Sequence, residues 1–203
     1  MSNENLKITI LFGSYRIERN GLRVIKYLDS HLKERGVSTT IVDAKLEKLP
    51  LLERRYSEYA ADKNLHSDDK ALFERLKNIS EIFKASDGFL LVAGEYNFSV
   101  QPGLKNLIDY FLPEYAFRPG ALAMYSMGAF GASRGITNLR GIMGEVGMSS
   151  LPSVHYFPQV HVSLDENGKD VENRYEKQTK KFLDELIWHA KALRGARSEG
   201  TPN

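Results

Sequence analysis

The chain contains no cysteine. That excludes disulfides, thiol nucleophiles, iron–sulfur clusters and cysteine-ligated zinc, and it fits a reducing compartment. Long apolar runs are missing too. Phe89–Ala93 is among the longest, far short of the roughly 20 residues needed to span a bilayer. The opening Met1–Asn5 segment is polar and lacks the basic patch, apolar stretch and small-residue cleavage site of a secretory leader. Strong charge of one sign is also absent: 28 Lys+Arg against 26 Asp+Glu leave +2, too balanced for a chain built to hold nucleic acid or anionic lipid. Repeats and low-complexity tracts are lacking apart from the stretch Gly195–Asn203, which reads as a frayed tail. The expectation is a cytoplasmic protein with neither nucleic-acid nor membrane partners.

What remains is an ordinary globular composition, 42% hydrophobic and 27% charged, unlike that of a disordered chain. At 203 residues one domain buries roughly 70% of its unfolded surface. No internal linker stands out, so residues 1–195 read as a single domain and 196–203 as a flexible tail.

Leu6–Phe12 is β-branched and apolar and stops at Gly13-Ser14, the pattern of a buried strand and tight turn. Leu22, Ile25, Leu28 and Leu32 recur at helical spacing up to Gly36, a C-terminal cap. Val37–Asp43 reads as a second strand, and Ala44–Asn64 as an irregular, charge-rich loop. A helix over Ser67–Ala85 is followed by a nearly continuous apolar strand, Asp87–Ala93, which suits a strand covered on both faces. Next come a helix over Pro102–Leu112, a strand near Ala121–Ser126 and a helix near Ser133–Val146. A short strand around Leu151–Val154 and a long final helix complete the chain. Five strand–helix alternations predict an α/β domain: an open, five-stranded parallel sheet with helices on both faces.

In such sheets ligands bind beyond the carboxyl ends of the strands, where strand order reverses. Three turns there are unusual. Gly13-Ser14-Tyr15-Arg16-Ile17-Glu18-Arg19-Asn20-Gly21 combines a helix start, a hydroxyl and two guanidinium groups, which suits a phosphate; an ordinary capped turn with exposed arginines has the same letters. It carries neither the Gly-Lys-Ser/Thr ending of a nucleoside-triphosphate loop nor Gly-x-Gly-x-x-Gly. Glu95-Tyr96-Asn97 after the third strand offers an aromatic wall with aimed hydrogen bonds for a flat heterocycle, or a solvated loop. Ser126-Met127-Gly128-Ala129-Phe130-Gly131 after the fourth offers bare backbone for a planar ligand, or a flexible turn before a helix capped by Ser133.

Together, Gly13-Ser14-x-Arg16, Glu95-Tyr96-Asn97-x-Ser99, Leu104-Lys105-Asn106-x-x-Asp109 and Ser126-x-Gly128-x-x-Gly131 resemble the NADPH-dependent FMN reductase family over roughly Ile8–Gly147. That family has a flavodoxin-like fold and includes flavin, quinone, azo-dye and chromate reductases. The resemblance implies that Ser14 and Arg16 hold the FMN phosphate, with Arg19 a further phosphate ligand where the family often has a small polar residue. It implies that Glu95, Tyr96 and Asn97 line the isoalloxazine, and that Ser126, Gly128 and Gly131 face its other edge. NADPH or NADH is the implied hydride donor, and a small molecule (free flavin, quinone, azo compound or metal oxyanion) the acceptor. A homodimer or homotetramer is implied as well. The chain departs from the family at Gly94, where proline is usual and the turn is thereby loosened, and at Gly131-Ala132, where a Gly-Gly pair is common. FMN would carry the difficult chemistry, so no side-chain acid, base or nucleophile is nominated; backbone N–H groups at the Gly128 and Asn97 turns would meet the charge of the reduced ring.

Two other readings stand beside it. One is a flavin-binding electron carrier or redox-sensing partner protein without enzymatic activity, although such carriers tend to be acidic. The other is a serine hydrolase, since Gly131-Ala132-Ser133-Arg134-Gly135 fits the Gly-x-Ser-x-Gly elbow. Against the hydrolase, Met127–Phe130 separate the strand from the elbow and His189 falls within a helix. The five histidines show no metal-ligand spacing, and Tyr110, Phe111, Tyr115 and Phe117 read as core or subunit contact.

Overall fold

The computed structural model describes residues 6–202, so the Met1–Asn5 segment inspected for a leader lies outside it. Five strands form one parallel sheet: β1 (Lys7–Phe12), β2 (Ser38–Asp43), β3 (Gly88–Ala93), β6 (Arg118–Tyr125) and β7 (Met148–Phe157). Between β3 and β6 a two-stranded hairpin, β4 (Glu95–Tyr96) and β5 (Ser99–Val100), stands apart. The sheet order is β2-β1-β3-β6-β7. The chain therefore steps one way from β1 to β2 and the other way from β3 onward, which opens a crevice beyond the carboxyl ends of β1 and β3. The expected five-stranded, flavodoxin-like parallel sheet is what forms.

Strand alternation divides the core in two. Phe89, Leu91 and Ala93 of β3 point into one cluster, while Leu90 and Val92 point into the other. The first cluster is closed by α4 (Lys70–Ala85), α5 (Pro102–Asp109) and α6 (Ile136–Glu145), through Leu76, Phe83, Leu104, Leu139 and Met143. The second is closed by α1 (Gly21–Glu34) and α8 (Glu176–Glu199), through Val24, Leu28, Leu183 and Leu186. Coverage on both faces explains why β3 is buried at every position.

Several boundaries differ from the sequence reading. The Ala44–Asn64 segment holds two short helices, α2 (Ala44–Glu47) and α3 (Tyr56–Ala61), anchored by the buried rings of Tyr59 and Tyr110. The last strand is ten residues long where the sequence showed only Leu151–Val154; polar residues at the sheet edge mask its alternation. Ser133 does not cap α6: it opens a 3₁₀ turn, Ser133–Gly135, entered through left-handed Ala132. The tail does not begin at Gly195. Helix α8 continues to Glu199 because Asp87 takes Arg194 and Arg197. Leu22 is partly exposed, and Val24 takes its place in the buried stripe of α1. A further one-turn helix, α7 (Val160–Ser163), follows β7.

Backbone closeness at the crevice depends on Gly13. A Cβ there would lie 2.1 Å from the Leu104 nitrogen, so any side chain would force β1 and α5 apart.

Candidate active site

The turns after β1, β3 and β6 converge. Ser14 and Arg16 from the first, Glu95 and Tyr96 from the second, and Tyr125, Ser126 and Met127 from the third border one open cleft of about 560 Å³.

At one end the Ser14 hydroxyl is buried, 3.4 Å from the Tyr96 hydroxyl. Arg16 is exposed, and among the described residues its guanidinium has no acidic partner. Helix α1 begins beside them with no side-chain cap and no acidic residue in its first turn. The Leu22 and Arg23 N–H groups bond the Arg19 and Asn20 carbonyls, so what this end offers an anion is chiefly its positive dipole. Glu18 also borders the cleft but is exposed. These residues fit a phosphate monoester. The Tyr96 ring and the Met127 side chain supply an apolar wall beyond it for a flat ring.

Arg19 does not join this group. Its guanidinium pairs with Asp43 at the end of β2, donates from Nε to the Ser14 carbonyl at 3.1 Å, and lies over the Phe12 ring at 4.8 Å. A guanidinium with these partners braces the turn instead of offering a free fork to a ligand. The carboxylate that claims it lies 24 positions away in the chain.

Asn97 and Phe98 form the tip of the β4–β5 hairpin, both exposed and both with positive φ (47° and 71°). This is the two-residue turn whose twist matches a hairpin. It carries Asn97 beyond the cleft lining. The hairpin is fastened on its outer side: Arg134 bonds Glu95 at 2.7 Å and lies over the Phe98 ring at 5.2 Å, and Asn138 donates to the Phe98 carbonyl at 3.0 Å. Glu95 is thereby committed to Arg134, its side chain turned away from solvent.

In the third turn, Ser126 donates to the Gly128 carbonyl at 2.8 Å, which also accepts the Gln159 N–H at 3.0 Å. Gly128 and Gly131 fold toward the end of β7 and the residues just beyond it: a Cβ on Gly131 would lie 3.2 Å from Tyr156 and 3.5 Å from the Pro158 nitrogen. Neither glycine borders the cleft, whereas Ser126 does.

Sequence reasoning missed Gln101 and Tyr125. The Gln101 Oε1 accepts the Gly94 N–H at 3.1 Å, and its Nε2 donates to the Tyr125 hydroxyl at 3.1 Å. Burial pushes the Tyr125 hydroxyl up to about 12, against the opposing hydrogen bonds of Gln101 and Ser14. No motif marks these two. The missing proline at position 94 was the available signal, because Gly94 brings an N–H that needs an acceptor.

A second cleft of about 620 Å³ lies on the other side of Tyr96, walled by Tyr15, Leu49, Leu51 and Pro102. Among the described residues no histidine hydrogen-bonds the elbow-like Ser133: His189 lies in α8, its Nδ1 3.0 Å from the Glu185 carbonyl one turn earlier. The hydrolase arrangement does not form.

The profile of the NADPH-dependent FMN reductase family matches residues 6–161. A quinone reductase of Escherichia coli (strain K12) is 32% identical over 148 residues, covering 70% of this chain and 71% of its own. An NADPH azoreductase of Bacillus sp. (strain OY1-2) is 24% identical over 166 residues, covering 81% and 84%. Among solved structures, the flavoenzyme NAD(P)H:(acceptor) oxidoreductase FerB of Paracoccus denitrificans superposes with a TM-score of 0.70 at 19% identity, over 92% of this chain and 98% of that one. With its flavodoxin-like sheet and a cleft at the point where strand order reverses, the chain belongs to the NADPH-dependent FMN reductase family, oxidoreductases that use FMN and NAD(P)H.

Proposed function

We propose that the cleft holds FMN with its phosphate at Ser14, Arg16 and the start of α1, and its ring against Tyr96 and the Ser126–Met127 turn. The observation that carries this is the pairing of a buried Ser14 hydroxyl with an Arg16 guanidinium that lacks an acidic partner, at an uncapped helix start. When bound, FMN supplies the acceptance of hydride from NAD(P)H and its onward delivery. The chain's own part is to bind and orient. Arg19 and Asp43 stiffen the phosphate turn, and Arg134 pins the hairpin beside the ring through Glu95.

The acceptor in this reading is a flat, largely apolar molecule such as a quinone or azo compound. Its support is the apolar cleft beside Tyr96, together with the activities named for the quinone reductase and azoreductase relatives. Two copies of the chain would pair over the rim, where Ile17, Leu51 and Phe130 expose most of their side chains, and the enzyme would work in the cytoplasm. The decisive experiment compares the affinities of the flavin-free protein for FMN and for riboflavin, in the wild type and in Ser14→Ala. A clear preference for FMN, reduced by the substitution, is the expected result. Equal binding of the two flavins contradicts the phosphate assignment.

A further inference from the structure

Asn106, on α5, borders the apolar cleft beside Tyr96 and holds the loop that forms one of its walls. That loop, residues 48–55 between α2 and α3, carries Leu49 and Leu51 into the cleft lining. Its ends are tied from outside: the Lys48 carbonyl accepts from Arg75 at 3.2 Å, and the Tyr56 N–H donates to the Tyr110 carbonyl at 2.9 Å. Among the described residues, positions 49–54 enter no backbone–backbone hydrogen bond. Side chains hold the middle of the loop instead. Asn106 Nδ2 donates to the Pro50 carbonyl at 2.7 Å, and its Oδ1 accepts the Leu52 N–H at 3.0 Å. A carbonyl only accepts and an N–H only donates, so the amide has one orientation. The Tyr110 hydroxyl, which does not border the cleft, donates to the same Pro50 carbonyl at 3.1 Å. At another wall the Tyr15 hydroxyl is spent on the Ala44 carbonyl at 2.6 Å. An occupant is therefore gripped by apolar contact, and a gap of about 0.5–1 Å already forfeits a quarter to a half of each contact.

We propose that Asn106 is a positioning residue for the electron acceptor: acting through Pro50 and Leu52, it holds Leu49 and Leu51 at the spacing that seats a flat apolar ring of naphthoquinone type. That assigns a task to the asparagine of Leu104-Lys105-Asn106-x-x-Asp109, which does not border the flavin cleft. The proposal rests on the reading of this second cleft as the seat of the acceptor.

The test measures NADPH-driven reduction of 2-methyl-1,4-naphthoquinone and of ferricyanide by FMN-loaded wild type, Leu51→Glu, Asn106→Leu and Tyr110→Phe. Ferricyanide is a compact anion that takes electrons without a seat between apolar walls, so the ratio of the two kcat/KM values isolates the cleft. Asn106→Leu keeps the side-chain volume and adds no charge, but it releases both Pro50 and Leu52. Its ratio is expected to fall about three- to tenfold, through a raised KM for the naphthoquinone. Tyr110→Phe removes one hold on the loop from outside the cleft, and a smaller fall of the same kind is expected. Leu51→Glu places a carboxylate in the wall itself and should raise the naphthoquinone KM. An unchanged KM in Leu51→Glu, or a wild type that does not reduce the naphthoquinone, would overturn the acceptor reading and this proposal with it. A raised KM in Leu51→Glu, with the wild-type ratio kept in Asn106→Leu, would overturn the proposal alone. So would a fall in Asn106→Leu that Tyr110→Phe does not share, because Asn106 would then act by touching the acceptor.

Discussion

Asp43, the last residue of β2, holds the guanidinium of Arg19, and Arg19 in turn holds the Ser14 carbonyl at 3.1 Å. The end of one strand thus fixes the turn that follows its neighbour. The pair is largely buried, with side-chain exposures of 10% and 5%. Removing Arg19 leaves the buried Asp43 carboxylate with only the Lys45 N–H at 3.0 Å and no opposite charge, which costs about 3 kcal/mol. Arg19→Ala should lower the unfolding free energy of the flavin-free protein by about that amount, read from urea titration. A stability loss below about 0.5 kcal/mol, typical of an exposed residue, would contradict the bracing role.

Arg16 should behave in the opposite way. It is exposed and unpaired with any acid among the described residues, so Arg16→Ala should leave the apo-protein's melting temperature unchanged. FMN binding should weaken by on the order of 1.5–3 kcal/mol, the worth of a charge-assisted contact. Calorimetric titration separates the two effects. Unaltered FMN affinity would remove Arg16 from the site.

The contrast between these arginines marks how far the residues alone could be read. Leu6–Phe12 was legible as a buried strand and Asp87–Ala93 as one covered on both faces, because their apolar runs are short and each stops at a glycine. The convergence of Ser14, Tyr96 and Ser126 followed from the order of strands. The separate fates of Arg16 and Arg19 did not, because the Asp43 that decides them is brought close only by the β1–β2 pairing. The two-residue strands of the hairpin were too short to leave a periodic pattern, and the hairpin carries Asn97 out of the cleft. Gln101 looked like any polar residue before a helix; only the paired Gly94 N–H gives it a task.

His155 governs an acid limit on stability. It is buried against Phe157, its Nε2 2.8 Å from Thr179, and burial lowers its pKa to about 4. In the unfolded chain the ring titrates near its ordinary value of 6.5. As pH falls below 6.5 the unfolded state binds the proton first. The stabilising contribution is therefore complete above that value and lost progressively down to pH 4, about 3 kcal/mol in all. Denaturant midpoints measured between pH 7 and pH 4.5 should decline, and an NMR titration should place the His155 ring near 4. A His155 titration at its unperturbed value would contradict this.

Asp87 fastens the last helix to the sheet. It accepts the Lys7 N–H at 3.0 Å and lies 3.2 Å from Arg197 and 3.5 Å from Arg194. Asp87→Ala should cost about 1–3 kcal/mol, because the Lys7 N–H and the partly buried Arg197 guanidinium, which keeps only the Phe117 carbonyl, each lose an acceptor. Hydrogen exchange should show the last two turns of α8 losing protection first. Unchanged protection there would mean that the helix end is held by its apolar contacts alone.

The central claim is that the turns after β1, β3 and β6 make one flavin site that exchanges electrons with NAD(P)H. Its most direct test is to reconstitute the purified protein with FMN, remove the excess, and follow the visible flavin band as NADPH is added without oxygen. One tightly held flavin per chain, bleached by NADPH and recoloured by a quinone, is the predicted result. A protein left colourless after reconstitution, or a bound flavin that NADPH does not bleach, would contradict it.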